Sequence, residues 1–340
     1  MRSLLLMNPN STSVSHAIVR DVVNALAPVT SIKAVHTAYP QHAEAICAGL
    51  RRSDYDAIII LGGDGTVGEV INGLLGKDVA ARPDAAELPR LVIIPTGSAN
   101  VYARALGLPN DPTEAASEIA DLLREGTVRR LPLAMAHNVG SAETDPDHDE
   151  SKRWLCVNLG IGIDAAVIHS MEQARKRGIS ATPGKYALIA ARAWRRLRAH
   201  PPHISFRAET AGTVREEKEL PLVVVSNTNP WTFAGPVPVV TNPDARTEGG
   251  LSIFALTSAE GAGGLAALMK TVGSNVRFWS ALPVDTGEIQ VDDINALTLT
   301  LTEKTKWQLD GEFMGETDRI DIVSVPDVID VIAPEGAQIS

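Results

Sequence analysis

The amino-acid sequence predicts an α/β domain followed by an all-β domain, the first doubly wound, Rossmann-like and three-layered, the second antiparallel. Three observations carry this. Short, wholly apolar runs alternate with helically spaced segments over residues 1–130. Strand-like runs parted by turn residues then fill most of 131–319. A chain of 340 residues also exceeds one ordinary domain and fits two.

In the first stretch, Leu4 to Met7 reads as a buried strand, and Ser13 to Leu26 as a helix with Val14, Ile18, Val22 and Leu26 on one side. Strand, helix and strand follow at Ile32 to His36, Ala43 to Leu50 and Ala57 to Leu61. Val67 to Leu75 is helical, Leu91 to Ile94 is a fourth strand, and helices return at Val101 to Leu106 and Thr113 to Arg124. Apolar strands alternating with helices mean a parallel sheet covered on both faces. Such sheets bind ligands at the carboxyl ends of their strands, which places the loops after Met7, Leu61 and Ile94 side by side. Beyond Gly126, strands are expected at Leu131 to Val139, Trp154 to Leu159, His203 to Ala208, Leu220 to Ser226, Leu251 to Leu256, Ala296 to Leu301 and Lys306 to Leu309. That series suits an antiparallel sandwich or barrel. A helical insert at 165–200 interrupts it, and Arg319 to Ala333 carries further strand-like apolar pairs.

Composition narrows the function classes. The hydrophobic fraction of 44% and charged fraction of 21% are those of a globular protein. A formal net charge of −10 argues against a nucleic-acid partner. Cys47 and Cys156 are the only cysteines, far apart and without metal-ligand spacing, so the expected setting is reducing and cytoplasmic. Asn8-Pro9 cuts the opening apolar run too early for a signal peptide, and no stretch reaches the roughly 18 apolar residues of a membrane span. Asp145, Asp147 and Asp149 resemble a fragment of a calcium loop. The rest of that motif is missing, and the segment reads as a solvated hairpin tip.

The strongest local signal is Leu61-Gly62-Gly63-Asp64-Gly65-Thr66, set between an apolar strand and a helix. Glycines let the backbone turn sharply and bring N–H groups to phosphate oxygens, and the helix start adds partial positive charge. Asp64 is a carboxylate suited to a hard cation such as Mg²⁺ on the phosphates. The plain alternative is a tight turn whose Asp caps the helix. A second loop, Pro95-Thr96-Gly97-Ser98-Ala99-Asn100, also runs from strand to helix, and alone it reads as an N-cap sequence with Ser98 or Asn100 as cap. Asn8-Pro9-Asn10-Ser11-Thr12-Ser13 forms a third polar wall or an ordinary capping loop.

These residues resemble the diacylglycerol kinase catalytic family, which includes sphingosine and ceramide kinases, and in particular its soluble bacterial members. The matching stretches are Asn8-Pro9 with Ser11, Gly62 to Thr66 continuing to Glu69, Asn72 and Gly73, Pro95 to Asn100 continuing to Ala103-Arg104, and Asp310-Gly311-Glu312. Gly160-Ile161-Gly162-Ile163-Asp164-Ala165 and Asn227-Thr228 match more weakly. The glycine-aspartate loop is shared with NAD kinases and phosphofructokinases; its combination with the other stretches is the specific part.

The resemblance implies an ATP-dependent lipid kinase that transfers the γ-phosphate to diacylglycerol or a similar lipid alcohol, with Mg²⁺. It implies a nucleotide-binding domain at 1–130 rejoined by 320–340, a β-sandwich substrate domain at 131–319, and an active site in the interdomain cleft. ATP would be held by Asn8, Pro9, Ser11, Gly62, Gly63, Asp64, Gly65, Thr66, Glu69, Thr96, Gly97, Ser98 and Asn100, with the metal at Asp64. Asp310 would be the general base and Glu312 would orient a neighbouring donor or the metal's water. Read without the resemblance, Asp310-Gly311 is a hairpin turn. Two departures bear on the metal: Val101 stands where many relatives carry Asp, and Leu131-Pro132-Leu133 stands where many carry an acidic residue. They motivate a catalytically degenerate nucleotide-binding protein as one alternative, and an NAD kinase-type enzyme is the other.

The insert carries Arg175, Lys176, Arg177, Lys185, Arg192, Arg195, Arg196 and Arg198, with no acidic residue from Gln173 to His200. Arg192, Arg195 and Arg196 share a helix face, and with Trp194 they are expected to dock on an anionic membrane at its inner face, or else to be solvated or meet a second subunit. An edge strand of the second domain offers a route to a homodimer. Trp231 and Phe233, paired in a turn-rich loop, face an acyl chain or plug the sandwich core.

Overall fold

The computed structural model describes residues 1–9, 14–140, 151–162, 195, 198–258 and 287–336. Two compact units are present, Met1–Leu133 with Val325–Ser340, and Ala134–Ser324. Ser11, Asp164, the acidic loop at 141–150, and Arg192, Trp194 and Arg196 of the basic insert lie outside the described residues; Arg195 is exposed.

The first unit contains β1 (Arg2–Met7), α1 (His16–Leu26), β2 (Ser31–His36), α2 (His42–Cys47), β3 (Ala57–Gly62), α3 (Asp64–Leu75), β4 (Arg90–Pro95), α4 (Val101–Ala105) and α5 (Pro112–Glu125). The end of the last strand, β16 (Glu312–Val331), completes its sheet in the order β16-β4-β3-β1-β2. Every pairing in it is parallel. Ile58 to Leu61 are fully buried, as strands covered on both faces must be. Each such side chain contributes about 1.5–3 kcal/mol by burial. The chain leaves β1 one way, to β2, and returns past β1 to reach β3. Right-handed crossovers then put α1 on one face and α2 with α3 on the other. The packing of α1 on α5 and of α2 on α3 agrees. The reversal of direction lies between β1 and β3, so their carboxyl ends form the crevice that such sheets use for ligands.

Local chemistry sets the helix ends. Ser15 accepts a hydrogen bond from Ile18 N at 3.3 Å to cap α1. Asp111 accepts from Thr113 N and Glu114 N to cap α5, which opens on Pro112 and stops at Gly126 in the left-handed region.

The second unit is an antiparallel sandwich. Its strands are the end of β5 (Arg129–Asn138), β6 (Lys152–Leu155), β7 (Asn158–Ile161), β8 (Ile204–Glu209), β9 (Val214–Leu220), β10 (Leu222–Ser226), β11 (Thr232–Ala234), β12 (Val237–Val239), β13 (Leu251–Leu256), β14 (Glu288–Ile294), β15 (Ala296–Leu309) and the start of β16. One half of β15 pairs with β8 and the other with β7, and a register shift between Thr300 and Thr305 marks the bend. Leu159, Val225, Ile253, Phe206, Leu299 and Trp307 meet in one core. The sequence suggests two strands in place of β15, because polar Glu303 to Lys306 interrupt its apolar residues. Two strands escape the reading of the sequence. β9, Val-Arg-Glu-Glu-Lys-Glu-Leu, pairs only with β8 and buries only Leu220, while β14, Glu-Ile-Gln-Val-Asp-Asp-Ile, buries Ile289 and Ile294 among polar and charged residues. Edge strands bury little and are kept charged against unwanted pairing.

In the first unit Asp330 is buried and accepts hydrogen bonds from Arg130 Nε at 2.8 Å and Arg52 Nη2 at 3.1 Å. Burial alone would raise its pKa, but the two guanidiniums outweigh burial and hold it below the ordinary carboxylate value of 3.8. The arginines are partly exposed, which screens the pair. Asp330→Asn should cost about 2 kcal/mol at pH 7, measured by denaturant titration. Because the folded pKa is depressed, this contribution is complete above 3.8 and is lost as pH falls through the folded value. The gap between wild type and variant should therefore close in acid.

Candidate functional site

The polar edge of the first unit is built by close approach of two loops. A Cβ placed on Gly97 would lie 2.6 Å from the Cα of Gly63, and one on Gly63 would lie 3.0 Å from the Cα of Gly97. Neither glycine has a left-handed φ; Gly63 sits at −101°. Glycine is required here by space rather than by a sharp turn. Gly62 is similarly restricted, its Cβ position being 2.7 Å from Thr66 Cβ. Thr96 N donates to Gly62 O at 3.0 Å, carrying the β3–β4 ladder into both loops. From the neighbouring strand, Asn8 N donates to Leu61 O at 3.3 Å and Asn8 Nδ2 to Thr66 Oγ1 at 3.3 Å. Asn8, Gly62, Gly63, Thr66, Thr96, Gly97 and Asn100 are thus brought together, while Pro9 and Ser98 are exposed beside them.

Helix α3 begins at Asp64, earlier than its apolar pattern suggests, and no side chain caps it. Its first-turn N–H groups lie at the positive end of a 12-residue helix, a setting that favours negative charge. Asp64 itself turns to the other helix. Its Oδ2 accepts from Val101 N at 3.0 Å and its Oδ1 from Tyr102 N at 2.9 Å. Asn100 occupies the N-cap position of α4, yet its side chain does not cap. It instead accepts from Gly97 N at 2.8 Å and donates to Gly97 O at 3.1 Å and to Asn110 Oδ1 at 2.9 Å, with φ at 51°. Burial raises the pKa of Asp64, opposed by the Tyr102 and Val101 N–H groups and by the charge of Arg104.

The tail of the same motif serves packing. The Glu69 carboxylate accepts from Gln41 N at 2.9 Å and Ala43 N at 3.1 Å, closing the left-handed turn that starts α2. Gly73 lets α2 approach α3, since its Cβ position lies 2.3 Å from Glu44 O.

In the second unit, Asp310-Gly311 is the two-residue turn between β15 and β16, with φ of 51° and 83°. Both positive values fit a type I′ hairpin. The side chain of Asp310 nevertheless points inward and is 8% exposed. Its Oδ1 accepts from Val157 N at 2.7 Å and Asn158 N at 3.1 Å, and its Oδ2 from Cys156 N at 2.9 Å. Hydrogen bonds of this kind favour a charged carboxylate. Around it, Gln308 Nε2 donates to Asn158 Oδ1 at 2.7 Å and Gly311 N to Gln308 Oε1 at 2.8 Å. Asn158 Nδ2 donates to Trp231 O at 2.7 Å. Glu312 is exposed at the start of β16, and Trp231 and Phe233 are half-buried. Asn158, Gln308 and Asn110 escape a reading of the sequence, because single amides in apolar strands or loops carry no local signal.

Mg²⁺ takes oxygen ligands in near-octahedral geometry. Among the described residues no group of three or more His, Cys, Asp or Glu converges to hold a metal, and Val101 is a buried apolar side chain. With Asp64 accepting two backbone N–H groups, the described residues do not fit a protein-built magnesium site. Among them no helix is long and apolar enough to cross a membrane.

Comparison with known proteins bears on this edge. Residues 2–135 match the family model of the diacylglycerol kinase catalytic domain. A diacylglycerol kinase of Staphylococcus haemolyticus is 46% identical over 70 residues, 21% of this chain and 19% of that protein. One of Bacillus subtilis is 37% identical over 84 residues, 25% of this chain and 24% of the relative. The alignment thus spans about a fifth to a quarter of these relatives' length. The crystal structure of a diacylglycerol kinase from Bacillus anthracis has the same fold, at a TM-score of 0.66 and 21% identity over 98% of this chain and 97% of that one. Yeast NADH kinase shares the fold more distantly, at 0.51 and 12% identity over 100% of this chain and 85% of that one.

Gly97→Ala should force the two loops apart and cost about 1–3 kcal/mol of stability by overpacking. Urea unfolding of the variant beside the wild type measures it, and an unchanged midpoint would mean that the loops are not in contact.

Proposed function

We propose, from the match of residues 2–135 to the family model of the diacylglycerol kinase catalytic domain, that this chain is a lipid kinase using ATP. The observation that carries the reading is the meeting of Gly63 and Gly97 beside the uncapped start of α3, inside the stretch that the family model matches. Phosphate oxygens would accept from the first-turn N–H groups of α3, where the helix dipole favours negative charge. Asn8 and Thr66, already joined, would flank them. A divalent cation would come with the nucleotide, bound to its phosphates.

The acceptor is a lipid alcohol such as diacylglycerol. Its hydroxyl oxygen attacks the γ-phosphorus, the bond from that phosphorus to the β–γ bridging oxygen breaks, and ADP leaves. Asp310 is the group we assign as base: one of its carboxylate oxygens takes the hydroxyl proton as the new O–P bond forms. Its side chain is held by three N–H groups, which fixes the carboxylate within its own unit.

Transfer of labelled γ-phosphate from Mg-ATP to a panel of diacylglycerol, sphingoid bases and isoprenoid alcohols tests the reading. We expect a labelled lipid, and a loss of about 10²–10⁴ in kcat for Asp310→Asn. The same mixture with NAD⁺ added separates the alternative suggested by the fold shared with NADH kinase. Label in NADP⁺ and in no lipid would overturn the lipid reading. ATP bound with no acceptor labelled would favour a degenerate nucleotide-binding protein.

A further inference from the structure

We infer that Asp64 is a positioning residue, a brace that ties the loop at 96–100 to the start of α3, and that it does not ligate the divalent cation of the reaction. The inference rests on the nucleotide reading above and deepens it. Helix α4 is only five residues long, and like any helix it begins with orphan N–H donors. Its own N-cap residue cannot serve them, because the Asn100 side chain is used on Gly97 and Asn110. The two donors, Val101 N and Tyr102 N, are met from another loop by the two oxygens of Asp64, one each.

That geometry is poor for a cation. Both carboxylate oxygens face N–H hydrogens that carry partial positive charge at the positive end of α4. The guanidinium of Arg104 adds a further positive charge acting on the same carboxylate. A magnesium ion on either oxygen would face all of these. The residue that follows Asn100 is the buried, apolar Val101, which offers no second carboxylate there. The brace instead accounts for why Gly63 and Gly97 stay in contact: the side chain one residue after Gly63 holds the helix that follows the Gly97 loop.

The two roles predict opposite behaviour when no metal is present. As a brace, Asp64 prepares the loop for phosphates whether or not a cation accompanies them. As a metal ligand, it would only repel metal-free ATP. We would titrate ATP into wild type, Asp64→Asn and Asp64→Ala by calorimetry in EDTA, and titrate Mn²⁺ into each ATP complex by electron paramagnetic resonance. Asparagine keeps one acceptor and serves if the alanine variant does not fold. The brace predicts at least a tenfold loss of metal-free ATP affinity in the variants, with Mn²⁺ affinity of the ATP complex within about twofold of wild type. Equal or tighter metal-free ATP binding, with Mn²⁺ affinity falling tenfold, would overturn it. If the wild type binds no ATP under any condition, the nucleotide reading fails. The brace is then judged by hydrogen exchange alone: the Val101 and Tyr102 amides should exchange at least tenfold faster in Asp64→Asn, and unchanged rates would overturn it.

Discussion

The polar edge of the first unit depends on how near two backbones can come. Where β3 and β4 end, their loops approach until Gly63 and Gly97 touch, and any side chain at either position would occupy the other's backbone. That closeness orders the surrounding hydrogen bonds. Thr96 N reaches Gly62 O, Asn100 folds over Gly97, and Asp64 spans the gap to Val101 and Tyr102. Each bond satisfies a donor or acceptor that a strand end or helix start would otherwise leave open. With these internal needs met, the first turn of α3 remains without a side-chain cap, and that is the feature through which the edge can receive an anion.

The second unit treats a carboxylate differently. Asp310 sits in a turn whose backbone conformation is rare for anything but Asn, Asp or Gly. Its side chain is nonetheless the most heavily donated-to group of its surroundings. Three consecutive amides, from Cys156 to Asn158, point at it, and Asn158 and Gln308 extend the network through their own side chains. A turn needs none of this. An Asp-Gly hairpin on a sandwich rim is stable with its carboxylate in water; here the carboxylate turns inward and satisfies three amide donors at the junction of β6 and β7.

What the sequence makes legible follows from where the causes lie. β1, β3 and β4 announce themselves because both faces are buried, so each carries an unbroken apolar run. β9 is silent because an edge strand needs only backbone partners. The glycine-aspartate motif was visible as a motif, yet the tasks of its residues were not. The neighbour that excludes a side chain at Gly63 lies 34 positions away, and the amides that Asp64 serves lie 37 and 38 positions away. Glu69 and Gly73 likewise act on α2, a helix earlier in the chain. A local pattern reports residue chemistry; the partner comes only with the fold. Asp310 shows the limit most plainly, since the hairpin turn read from the residues coexists with an amide-bound carboxylate that no local pattern signals.

The first unit is also sewn shut from the far end of the chain. Val331 pairs with Leu91, Ile332 N donates to Leu91 O, and Asp330 accepts from both Arg52 and Arg130. On a ribosome, residues 1–133 would emerge with the outer edge of β4 bare and without the carboxylate that Arg52 and Arg130 share, and would stay so while some two hundred further residues were made. The first unit is therefore assembled from distant parts of the chain and is not a module that can be cut out at its sequence boundary. Grafting residues 2–135 onto another protein would transplant the motifs without the strand that finishes their sheet.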